Sequence, residues 1–206
     1  MAARRKSQSR RRQRKESPDG NELLLMELQQ IHSAESQLSR VLPRLARAVE
    51  SERLQQMIEQ RQEEGERVLK ELENAFDELD ESAGRRRNAA AEGLINDVRE
   101  HTQQLEQGPA LDAVLIAGIQ KTEHYCIAAW GTARSLGEAL GQKATVKAME
   151  RAIKEGKSFD EQLTSLAEEE VTPALLAEGS EEDEEEEVEE APRSRRNGGS
   201  DRRVST

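Results

Sequence analysis

Seven positions spaced by three and four residues, Leu24, Leu28, Ile31, Glu35, Leu38, Leu42 and Leu45, trace the inward face of one helix, and six of them are apolar. The exception is Glu35. A carboxylate on such a face is costly unless it is protonated, hydrogen-bonded or matched by a cation. Its chemistry is therefore either metal ligation or pairing with another buried side chain.

Other helical patterns aim polar groups at the same interior. Leu54, Ile58, Arg61, Gly65, Val68, Leu72 and Leu79 form a second seam, with Arg61 inside it, Glu64 on its border and Glu63 pointing nearly opposite. A third face is centred on Leu115, Ile119, Thr122, Cys126, Ala129, Trp130 and Ala133, and Glu123 lies to one side of it. A fourth carries Ala152, Gly156, Phe159 and Leu163, with Asp160 nearby. Four carboxylates from four helices would suit a carboxylate-bridged dimetal bundle. Such bundles also use Glu-x-x-His on two helices, because imidazole supplies neutral donors. None of His32, His101 and His124 follows a Glu by three. Spacing alone does not specify a metal.

Five helices must position these groups. They are expected over about Asn21 to Val49 with a kink at Pro43, from an N-cap at Ser51 to about Leu79, over Asn88 to Leu105, from Pro109 to Leu140, and from Lys143 to Glu170, stopping before Pro173. Long, long, short, long, long is the outline of a four-helix bundle with a crossover connection. The composition agrees, with 35% charged residues but only 2% aromatic ones, which is poor material for a sheet core. The single cysteine, Cys126, excludes an intrachain disulfide and suits a reducing compartment. No apolar run reaches membrane-spanning length and no secretory leader is present, so the expected location is the cytoplasm.

Residues 1–20 carry eight Lys/Arg against Glu16 and Asp19, and residues 178–206 place ten acids between Glu178 and Glu190 ahead of five arginines. Both are expected to be disordered tails around a bundle spanning 21–177. Nucleic acid could be held electrostatically through residues 4–15. No aromatics interleave there, and a solvated tail that pairs with the acidic one is the preferred reading.

Ser33-Ala34-Glu35-Ser36-Gln37-Leu38, Ala91-Glu92-Gly93-Leu94-Ile95 and the stretch Gln120-Lys121-Thr122-Glu123-His124-Tyr125-Cys126-Ile127-Ala128-Ala129-Trp130-Gly131-Thr132 resemble the YciE/YciF-like stress-protein family. The resemblance runs from Leu24 to Ala167. It implies an all-α, ferritin-like four-helix bundle with an extra short helix in the crossover, a homodimer, a role in stress responses and a carboxylate-rich dimetal site. The departures bear on that site. Where the family typically reads His-Leu-Glu-Glu-Thr, this chain has Arg61-Gln62-Glu63-Glu64-Gly65. Glu-His-Tyr-Glu becomes Glu123-His124-Tyr125-Cys126, and a glutamate-rich segment becomes Lys154-Glu155-Gly156-Lys157-Ser158-Phe159-Asp160. Losing ligands while gaining a fixed guanidinium is the pattern expected if Arg61 is now the internal counter-ion.

Glu35, Glu64, Glu123 and Asp160 thus have two readings, ligands of a weakly bound Fe or Mn, or relict ligands matched by Arg61. Cys126 is either a thiolate ligand or redox centre, or a small buried apolar residue, the last being preferred. His124 is expected to pack, or to touch the short helix, rather than bind metal. Glu92 has no assigned chemistry. The preferred function is a non-catalytic, stress-associated ferritin-like protein with a partly or wholly eroded dimetal site and either no cofactor or a weakly bound divalent metal, Fe or Mn. The alternatives are a dimetal oxidoreductase or peroxide-handling enzyme, and an electrostatic scaffold acting through the tails.

Overall fold

The computed structural model describes residues 17–179. The expectations for residues 1–16 and 180–206 lie outside the described residues. Five α-helices follow in order, α1 (Gly20–Ala46), α2 (Glu52–Glu78), α3 (Ala89–Gln104), α4 (Pro109–Leu140) and α5 (Lys143–Leu166). Asp19 and Glu22 open α1 with a reciprocal capping box. Ser51 caps α2, Pro109 sits in the first turn of α4, and Gly141 ends α4 in the left-handed region at φ 75°.

Side-chain caps reveal the helix directions. Asp112, in the first turn of α4, accepts from the backbone N–H groups of Glu50 and Ser51 at the start of α2. At the opposite end, Glu78 in the last turn of α2 accepts from the N–H of Ala144 in α5. Helices α2 and α4 are therefore parallel, and the chain between them must traverse the bundle. That is the crossover, and α3 lies in it, packed on α1 and α4. The result is a ferritin-like four-helix bundle with one short extra helix. Among the described residues, no helix is long and apolar enough to cross a membrane.

Tertiary contacts moved two helix ends. Helix α1 stops at Ala46 rather than Val49, because Asp112 captures the N–H groups of Glu50 and Ser51 while Gln107 donates to the Val49 carbonyl. Those bonds replace the helical ones. Pro43 lies inside α1 without ending it. At the far end, the helix does not stop before Pro173. A π-helical turn over Ala167–Val171 follows α5, and helix resumes over residues 172–179. The wider turn bonds the Thr172 N–H to the Ala167 carbonyl, so Pro173 enters a new first turn, where its missing N–H does no harm. Glu178 and Gly179, assigned from sequence to the acidic tail, are helical.

One buried side chain fixes the short helix. Asn88 is 1% exposed and caps α3 by accepting from the Ala91 N–H. Its amide donates to the Gln30 carbonyl and to the Tyr125 hydroxyl, tying the crossover to α1 and α4 at once. Ser33 and Gln37 complete the knot on its backbone, as acceptor and donor respectively. Asn88→Ala is expected to cost about 2 kcal/mol, combining a lost cap with stranded partners. Urea denaturation would measure it, and a loss below about 0.5 kcal/mol would show that Asn88 does not pin the crossover.

Candidate functional site

Arg61 of α2, Glu35 of α1 and Glu123 of α4 meet in the middle of the bundle, with exposures of 2%, 0% and 2%. The Arg61 guanidinium donates from Nη2 to Glu35 Oε1 at 3.1 Å and from Nη1 to Glu35 Oε2 at 3.3 Å, the two-pronged geometry that carboxylates favour. Its Nε donates to Glu123 Oε2 at 2.7 Å. The cation lies 5.6 Å from the Trp130 ring centre, over its face. Carboxylates on two sides and an aromatic face on a third hold one arginine rigidly.

Two glycines make the room. A Cβ at position 65 would come within 2.9 Å of Glu35 Oε2 and 3.0 Å of Arg61 Nη1. A Cβ at position 156 would meet Glu123 Oε1 at 2.5 Å and the Trp130 ring at 2.7 Å. Neither neighbour yields easily, since the carboxylate is tied to Arg61 and the ring is wedged in the core. Glycine at both positions leaves room for the guanidinium, its carboxylates and the ring.

One cation faces two carboxylates, and this sets the protonation. Burial works against the charge on Arg61, but Glu35 and Glu123 outweigh it and hold the guanidinium well above its ordinary pKa. Glu123 is pushed up, chiefly by burial, with Arg61 opposing and the charges of Glu35 and Asp160 adding to the rise. Its second oxygen, Oε1, is buried with no hydrogen-bond partner. Cys126 is driven well above 9.0, first by burial and then by the negative charges of Glu35 and Glu123, so at neutral pH it is a thiol, the poor form for attack or ligation.

The raised Glu123 pKa has a sign that can be measured. The folded chain holds this proton more tightly than the unfolded one, so its contribution is fully present below the ordinary value of 4.5 and is lost as pH rises through the folded value. Wild-type stability relative to Glu123→Gln is therefore expected to fall over that window. Parallel urea titrations of both proteins from acid to neutral pH test this. A difference that grows with pH would contradict it.

The remaining residues selected from sequence do not join the cluster. Glu64 is 6% exposed but turns to the α2/α5 edge, accepting from Gln60, with Arg67 4.0 Å away and Oε2 unpaired. Burial and the charge of Glu155 raise its pKa. Asp160 sits half-buried on the α4/α5 seam, accepting from Gln120, and its Oδ2 is 3.4 Å from His124 Nε2. His124 is thus a rim residue facing Asp160 of α5. Glu92 pairs with Arg87 outside the bundle core. Sequence reasoning used Asn88 only as a helix start, and treated Trp130 as simple apolar filling. The only available signals were that Trp130 is the single tryptophan and that Asn88 precedes an alanine run typical of a helix start.

A dimetal centre does not fit these side chains. Both oxygens of Glu35 and one of Glu123 are committed to a guanidinium that cannot deprotonate, while Glu64 and Asp160 face other partners. Among the described residues, no group of three or more His, Cys, Asp or Glu side chains converges to hold a metal ion.

Residues 19–176 match the family described as a domain of unknown function, DUF892. The chain belongs to the DUF892 family. It is 37% identical over 141 residues to Protein YciF of Escherichia coli strain K12, covering 68% of this chain and 85% of the relative. The crystal structure of the E. coli stress protein YciF superposes with a TM-score of 0.70 at 34% identity, covering 73% of this chain and 96% of that one. YcfI of Rhodopseudomonas palustris superposes with a TM-score of 0.69 at 27% identity, with the same 73% and 96% coverage. The resemblance carried by the Ser33–Leu38 and Gln120–Thr132 segments is a family membership, and DUF892 is here a helical bundle whose central polar cluster is built around Arg61.

Proposed function

We propose that this DUF892 protein is a non-catalytic, stress-associated member of the YciF-like group, in which an internal arginine has taken the place of a metal. The observation that carries this reading is the two-pronged Arg61–Glu35 pair closed by Glu123 on Nε. A permanent cation at that point satisfies the carboxylates that would otherwise attract a divalent ion, and it repels such an ion. The thiol form of Cys126 leaves no nucleophile beside it. The protein then serves as a helical scaffold, working as a cytoplasmic homodimer, with no cofactor or at most a weakly held Fe or Mn.

Metal loading tests this directly. Purified protein is incubated anaerobically with Fe(II) or Mn(II), freed of excess, and assayed for bound metal and for peroxide loss. Fewer than one ion per chain and no metal-dependent peroxide consumption are expected. A dimetal enzyme needs two ions about 3.5–4 Å apart. Two ions per chain, with turnover abolished by Glu35→Ala, would establish the oxidoreductase instead.

A further inference from the structure

A second concentration of charge lies on the outside of the bundle, in a cleft of about 330 Å³ between α1 and α3. Four arginines line it, Arg40 and Arg44 from α1, Arg87 from the loop before α3 and Arg99 from α3, against one acid, Glu92. This happens in a chain with 42 acidic and 31 basic residues, where six of the twelve described arginines pair with a carboxylate. Arg87 is paired, with Glu92. Among the described residues, Arg40, Arg44 and Arg99 have no carboxylate within ion-pair distance. Arg40 and Arg44 are also four residues apart on one helix face, where like charges repel. An arrangement that costs stability when empty is relieved by an anion.

We infer that the α1/α3 cleft binds a compact polyanion, a small molecule carrying two or more linked phosphate groups. Guanidinium forks match phosphate oxygens in pairs, which a lysine patch would not do. Arg40 and Arg44 stand about 6 Å apart along the helix, and Arg99 faces them from the other wall, so a single phosphate cannot satisfy all three. A di- or triphosphate can. The buried side chains of Val41 and Ile95 give the cleft an apolar floor, so the ligand is held at the rim by charge and excluded from the core. Arg87 and Glu92 pair at the rim of the cleft. This gives Glu92, which belongs to the family-like segment Ala91–Ile95, a place at the edge of the site, beside Arg87. The cleft shares none of Glu35, Arg61 and Glu123, so its occupancy does not depend on the reading of the bundle interior.

The test is calorimetric titration of the full-length protein with inorganic tripolyphosphate, at low salt and again near physiological salt. One site per chain is expected, weakening with salt, with affinity roughly tenfold or more lower in Arg40→Gln/Arg44→Gln/Arg99→Gln and partly lower in Arg99→Gln alone. All three positions are exposed, and circular dichroism checks that the variants keep their helices. Absence of binding at millimolar tripolyphosphate would overturn the inference. Equal binding by wild type and the triple variant would also overturn it, because residues 4–15 would then be the binder. Binding that appears only after the acids of residues 181–187 are replaced by Gln and Asn would show that the chain's own acidic segment fills the cleft, and would likewise overturn it.

Discussion

Arg61→Met is expected to destabilise the bundle by about 3–5 kcal/mol, the cost of leaving buried carboxylates without their cation. Methionine is the informative replacement because it fills much of the volume and removes only the charge and the donors. Glu35, which is 0% exposed, would then have to take up a proton or draw in water, and Glu123 would follow. A loss of that size lowers Tm by roughly 6–20 °C in a chain of this length. The single tryptophan is the natural reporter, since Trp130 lies against the guanidinium. Removing all three polar groups at once, in Glu35→Leu/Arg61→Met/Glu123→Leu, is expected to recover much of the loss, because the pair's desolvation cost disappears with it. A single substitution costing under about 1 kcal/mol would mean that the cluster is not electrostatically closed.

Trp130→Ala should cost a similar amount, about 3–5 kcal/mol, for a different reason. The ring is 2% exposed and its Nε1 has no hydrogen-bond partner, so the loss is one of packing and of the cation–π face rather than of a hydrogen bond. The cavity would open between Arg61 and the α5 backbone at Gly156. A cycle with Gly156→Ala separates this from a general core defect. In the parent, the added methyl runs into the ring and Glu123; in the Trp130→Ala background only the contact with Glu123 Oε1 remains, and the vacated space lets that carboxylate shift. Gly156→Ala is therefore expected to be destabilising in the parent and less so once the ring is gone, a coupling of about 0.5–3 kcal/mol. Denaturation followed by circular dichroism measures all four proteins. Additive effects would show that Gly156 does not make room for the ring.

That the chain forms a helical bundle, and which faces of its helices point inward, could be read from the residues alone. Leu24 through Leu45, the Arg61 seam and the Glu123 face all carry a 3.6-residue period inside single helices, and that information is local. The caps at Ser51 and Pro109 were legible for the same reason, since each depends on a few neighbouring residues. The ends near Val49 and Pro173 were not. The first is set by Asp112 and Gln107 from another part of the chain, the second by a π-helical turn with no compositional mark.

The site divides along the same line. Inward phase puts Glu35, Arg61 and Glu123 in the interior, but phase cannot say which oxygen meets which nitrogen. The packing of α1, α2 and α4 gives Glu35 the forked end of the guanidinium and Glu123 its Nε. Glu64 and Asp160 border the same faces in sequence, yet a border residue turns to the core or the rim according to the neighbouring helix. Here Arg67, paired with Glu155 of α5, lies beside Glu64, and α4 offers Gln120 and His124 to Asp160, so both are held at the rim. A helix's own periodicity fixes direction to about one residue, whereas a hydrogen bond is decided within tenths of an ångström. That last distance belongs to the tertiary structure.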